Sequence, residues 1–154
     1  MKRVQTLIAC LAAAAASCAA LALAAPLGAQ AATVELAQRM AGGKMQPILV
    51  TESGLTLYEF TEDKKKHKDR CVEFMGCPSN WPPLTVAGTP TVGEGINPQF
   101  VGTQLLPDME MQVTFKKKPL YSYFADTPGS TGYIGAFAFF GYWYAVSPKS
   151  KAVR

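Results

Sequence analysis

Histidine is nearly absent from this sequence: His67 stands alone, inside Lys64-Lys65-Lys66-His67-Lys68. A single imidazole among lysines is a poor cation ligand and a poor general base. The chain also lacks an H-E-x-x-H helix, a G-x-S-x-G elbow and a glycine-rich phosphate loop, so no common catalytic motif is present. Charge of either sign is sparse. Fifteen Lys and Arg against 11 Asp and Glu give a formal +4, too mild for a dedicated nucleic-acid binder. Beyond Ala25 no apolar run is long enough to span a bilayer. Long helical windows are missing as well, because 13 Gly and 11 Pro interrupt the chain at short intervals.

What is present begins with an export signal. Lys2 and Arg3 supply a positive start, Leu7 to Ala25 is an uncharged Ala- and Leu-rich stretch, and Pro26 and Gly28 break it. Ala29-Gln30-Ala31 then has the small-x-small form of a cleavage site, so residues 1–31 read as a signal peptide rather than a membrane anchor. Two cysteines leave with it. Leu7-Ile8-Ala9-Cys10 follows too short an apolar core for lipidation, and Ala15-Ala16-Ser17-Cys18 lacks the large aliphatic residue at its start. A soluble periplasmic or secreted product starting at Ala32 is expected, with a lipid anchor on Cys18 as the alternative. Cleavage lowers the formal charge by two and leaves enough chain for one domain.

Only Cys71 and Cys77 remain in the mature chain. In an oxidising compartment two nearby cysteines most simply pair, closing a loop worth about 2 kcal/mol. Their spacing is C-x5-C, with no second pair and no following His, which argues against a zinc, haem or redox motif.

The chain also repeats itself. At an offset of 63, Val50-Thr51 falls on Val113-Thr114, Leu57-Tyr58 on Leu120-Tyr121, Phe60 on Tyr123 and Asp63 on Asp126. Both copies read Leu-Tyr-x-aromatic-x-x-Asp, and each precedes a tryptophan, Trp81 or Trp143. Each unit reads as a hairpin. Ile48 to Thr51 and Leu55 to Phe60 flank Glu52-Ser53-Gly54; Met111 to Phe115 and Pro119 to Phe124 flank Lys116-Lys117-Lys118. Phe137 to Phe140 and Tyr142 to Val146 add an aromatic, β-prone stretch, and Val34 to Ala41 alone looks helical. The expectation is an all-β, small single domain of two related β-hairpin repeats with a disulfide. An N-terminal segment, 32–46, precedes the β-domain at 47–148, with repeats at about 47–84 and 110–148.

These residues resemble a family of predicted lipoproteins with a Yx(FWY)xxD motif, also described as a secreted repeat of unknown function. Gly54, Thr56, Leu57, Tyr58, Phe60, Asp63, the cysteine pair and Trp81-Pro82-Pro83-Leu84 carry the likeness in repeat one. Pro119, Leu120, Tyr121, Tyr123, Asp126, Pro128-Gly129 and Trp143 carry it in repeat two. The resemblance implies an exported protein and no particular activity. Two departures stand out: the loop between the cysteines is enlarged, and Lys117 sits where the family's second turn has glycine.

The motif residues Tyr58, Phe60, Asp63, Trp81, Tyr121, Tyr123, Asp126 and Trp143 admit two readings. The aromatics pack and the aspartates accept backbone N–H bonds after each strand, or the two sets line a binding cleft. The lysine run is a solvated loop or a contact for anionic headgroups or acidic envelope polymers. Met109 and Met111 are spaced for a soft copper site but lack a supporting cluster. The sequence therefore points to a non-enzymatic exported β-module that binds an envelope component or small ligand, with no catalytic residue, cofactor, metal or nucleic acid. A redox- or metal-linked envelope protein is the alternative, and a hydrolase using Asp63 and Asp126 the third.

Overall fold

The computed structural model describes residues 33–63, 69–149 and 152–153. Residues 1–31, expected to be a signal peptide, with Cys10 and Cys18, and the Lys64–Lys68 run lie outside the described residues. Eleven short strands are described: β1 Thr33–Ala41, β2 Lys44–Thr51, β3 Tyr58–Phe60, β4 Thr85–Val86, β5 Thr91–Val92, β6 Val101–Leu105, β7 Met111–Phe115, β8 Lys118–Pro119, β9 Ala136–Ala138, β10 Gly141–Val146 and β11 Ala152–Val153. One α-helical turn, α1, covers Cys77–Asn80. The strands form three small sheets: β2-β1-β5, β11-β10-β3 with β9 also on β10, and β4-β7-β6 with β8 also on β7. The protein is mostly β, as the punctuated sequence implies.

The segment Val34 to Ala41, expected to be helical, is strand β1 instead. Gly42 and Gly43 both take positive φ, 59° and 74°, which reverses the chain in two residues. Ala41 then faces Lys44, and the ladder continues unbroken to Val34 opposite Thr51. A weak helical pattern over eight residues yields to that many cross-strand pairs. The strand β2 passes through Pro47, which faces Gln38, so β-structure begins well before residue 47.

Two further hairpins reverse in two residues with both at positive φ. Lys116 and Lys117 (47° and 66°) join β7 to β8, and Phe139 and Phe140 (55° and 67°) join β9 to β10. Such turns match the twist of the flanking strands and are usually made with Asn and Gly. Here bulky residues occupy positions that cost an L-residue about 1–2 kcal/mol each.

The hairpin expected in repeat one forms in part. Leu57 N–H donates to Leu49 O and Thr51 N–H to Leu55 O, after which β3 leaves to pair with β10. Leu57 and Leu120 enter an aliphatic core with Val34, Leu49, Val113, Phe115 and Val146. On the opposite side of the same strand, Tyr58 and Phe60 enter an aromatic core with Trp81, Tyr121, Trp143 and both cysteines. Alternate residues of one strand thus serve two cores.

Candidate functional site

The two repeats meet back to back at their tyrosines. Tyr58 N–H donates to Tyr121 O at 2.9 Å and Tyr121 N–H returns to Tyr58 O at 3.1 Å. The flanking bonds follow the same exchange. Val146 N–H donates to Leu57 O in one half and Leu84 N–H to Leu120 O in the other. At this seam the backbone of each repeat is thus bonded to the other repeat.

Among the side chains, the stacked rings cross between the repeats, while each tyrosine meets the tryptophan of its own repeat. Trp81 and Trp143 stack with centroids 4.0 Å apart and planes 2° from parallel. Tyr58 meets Trp81 edge-on at 5.1 Å, and Tyr121 meets Trp143 edge-on at 5.1 Å. Phe60 stacks on the far face of the pair against Trp143 at 4.3 Å, and Tyr123 lies against Trp81 at 4.6 Å. Each such pair adds about 0.5–1.5 kcal/mol beyond its buried area. Both tryptophans and both central tyrosines are buried.

The aspartates complete the exchange. The sequence points to carboxylates that accept local backbone N–H groups; Asp63 does accept one, from Arg70, and both aspartates also reach the tyrosine of the other repeat. Tyr58 Oη donates to Asp126 Oδ2 at 2.8 Å, and Ser130 Oγ donates to Asp126 Oδ1 at 3.0 Å. In the other half, Tyr121 Oη lies 2.9 Å from Asp63 Oδ2 and 2.8 Å from Asp69 Oδ1. Asp63 Oδ1 accepts Arg70 N–H, and Asp69 Oδ1 accepts Val72 N–H. The backbone turns match as well: Asp63 N–H donates to Phe60 O and Asp126 N–H to Tyr123 O.

Burial sets the electrostatics. It pushes Asp63 up to about 7, against the opposing Arg70 and Tyr121 hydrogen bonds. Asp69 and Asp126 are raised for the same reason. Both tyrosine hydroxyls are driven far above their ordinary value, first by burial and then by the carboxylates facing them. They are neutral donors across the physiological range.

Cys71 and Cys77 form a disulfide with Cα atoms 5.3 Å apart, inside the aromatic core. It joins a 3₁₀ turn at Cys71–Glu73 to α1. From α1 the chain reaches Trp81, and Pro83 bridges Tyr121.

Sequence reasoning missed five participants: Asp69, Ser130, Glu59 and Lys118, which form an ion pair at 2.9 Å, and Tyr133, which packs on Tyr123 at 3.8 Å. None belongs to the repeated pattern. Asp69 and Ser130 become visible only once each tyrosine is seen to need an acceptor set.

Outside the aromatic core, the β9–β10 turn presents a different surface. Phe140 is 79 % exposed and Phe137 64 %, with Tyr142 half exposed beside them. Phe140 contacts Phe74 at 5.8 Å, and Met75, the next residue, is 99 % exposed. The chain entering the lysine run is tied to the same turn. Thr61 N–H donates to Tyr142 O, and Tyr142 N–H donates to Thr61 Oγ1. The chain leaving it returns there through Arg70, whose guanidinium lies over Phe74. Among the described residues, no group of three or more His, Cys, Asp or Glu is arranged to hold a metal ion.

Residues 41–85 match the model of a family described as a secreted repeat of unknown function. The matched stretch runs from the end of β1 through the first Tyr-x-Phe-x-x-Asp segment, the disulfide and Trp81-Pro82-Pro83-Leu84. No curated protein and no solved structure matches the chain.

Proposed function

We propose that this chain is a non-enzymatic, exported module that docks on the anionic lipid surface of the cell envelope through its β9–β10 turn. The observation that carries the reading is the exposed ring cluster of Phe137, Phe140 and Tyr142, seated on a turn whose two central residues hold positive φ. The strained turn packs Phe139 against the aromatic core and holds Phe140 out to solvent, and an exposed ring kept at positive φ supports a working surface there. Arg70 lies over Phe74 beside this turn, and the sequence joining Thr61 to Arg70 carries Lys64-Lys65-Lys66-His67-Lys68, a basic composition suited to phosphate headgroups. The motif tyrosines, aspartates and tryptophans act as the rigid support behind it. Groups on which a redox or hydrolytic reading would rest are already engaged. Cys71 is bonded to Cys77, Asp126 to Tyr58 and Ser130, and Asp63 to Arg70 N–H and Tyr121.

Sedimentation of residues 32–154 with phosphatidylglycerol and with phosphatidylcholine vesicles tests this. Binding to the anionic vesicles is expected, and Phe140→Ser with Phe137→Ser should weaken it at least tenfold, as for two rings of which each buries about 1.5 kcal/mol or more. Equal binding by parent and double variant, or none by either, would overturn the reading.

A further inference from the structure

Protons can be counted at the two tyrosine–aspartate clusters, and the counts differ. In repeat two, one carboxylate faces two hydroxyl donors, Tyr58 and Ser130, so Asp126 is satisfied when ionised. In repeat one, a single phenol lies within hydrogen-bond distance of two carboxyl groups, Asp63 and Asp69. A phenol has one proton to donate. If both acids were ionised, one of these two contacts would set an oxygen lone pair against a carboxylate in a largely buried site.

We infer that Asp63, Tyr121 and Asp69 share one additional proton in the folded protein, making this junction between the repeats a pH-dependent clasp. The hydrogen-bond pattern places the proton on Asp63 Oδ2, donating to Tyr121 Oη, which donates to Asp69 Oδ1. Asp63 Oδ1 remains free to accept Arg70 N–H, and Asp69 Oδ1 keeps Val72 N–H. The direction in which burial moves Asp63 agrees. Around the cluster stand Glu59 from β3, paired with Lys118 of β8, and Arg70 and Glu73, paired with each other after Asp69. Lys64, Lys65, Lys66, His67 and Lys68 join the two acids and lie outside the described residues.

The sign follows from proton linkage. The folded chain holds a proton that the unfolded chain releases above about pH 4, so stability is fullest near pH 4 and falls as pH rises towards 7. One proton changes the unfolding constant by about tenfold per pH unit at its steepest.

Asp63→Asn supplies an amide N–H where the extra proton sits. Urea unfolding of parent, Asp63→Asn and Asp69→Asn between pH 5 and 8, beside the infrared carboxylic-acid band at pH 6, tests the clasp. The parent should lose stability across this range and show a protonated-acid band, and Asp63→Asn should make the profile shallower and weaken the band. A parent profile no steeper than that of Asp63→Asn, or no acid band in the parent, would overturn the inference. If Asp63→Asn fails to fold, the parent's infrared band and the Asp69→Asn profile decide, since removing either acid abolishes the need for the proton.

Discussion

Single residues show how strain and satisfaction are distributed. Lys117 holds φ at 66° in the β7–β8 turn, where glycine would sit without penalty. Lys117→Gly should therefore raise stability by about 1 kcal/mol, read as a higher urea midpoint. A lower midpoint would mean that the lysine side chain contributes more than its backbone costs. Phe140→Gly should behave alike in stability and oppositely in vesicle binding, separating the fold's interest from the surface's. At the tyrosines, Tyr121→Phe removes the group on which Asp63 and Asp69 converge and should cost about 2–3 kcal/mol near pH 6. Tyr58→Phe leaves Asp126 with its Ser130 bond and partial exposure, and should cost closer to 1 kcal/mol. Equal losses in the two variants would contradict the different roles assigned to the two phenols.

Among the elements, legibility follows how local the cause is. The Tyr-x-aromatic-x-x-Asp spacing, the cysteine pair and the Met111 to Phe115 strand are visible because alternation and motif lie within a few residues. The strand β1 was hidden because its conformation is set by β2 across a Gly-Gly turn, and eight residues of propensity carry little weight against a partner strand. The Lys-Lys and Phe-Phe turns were hidden for a different reason. Their residue types carry no turn signal, and only the flanking strands impose the positive φ. The short 3₁₀–α1 element depends on its crosslink rather than on helix propensity, being too short to persist alone. Replacing both cysteines with serine should lower stability by about 2 kcal/mol in denaturant, more if the buried hydroxyls find no partner. A change well below that would mean the aromatic packing alone holds the turn.

At the scale of the whole molecule, the repeat was readable but its assembly was not. A motif seen twice along a chain invites the assumption that each copy is complete, with its own tyrosine serving its own aspartate. Instead the bonds cross, over separations of 58 and 68 residues. The stacked Trp81–Trp143 pair is the physical seam of that crossing, and two parallel indoles at 4.0 Å should give an exciton-split circular dichroism band. The couplet should vanish in Trp81→Phe and in Trp143→Phe, and its absence from the parent would show that the rings do not hold this geometry in solution.

The crossed tyrosine–aspartate bonds give the molecule an approximate, broken twofold symmetry. Each half supplies the acid that the other half's phenol needs, as two copies of one unit would across a twofold axis, but within one chain. Asp69 and the disulfide belong to the first half alone, and Ser130 to the second. The two junctions are therefore free to differ in how many protons they hold, as two identical halves could not be.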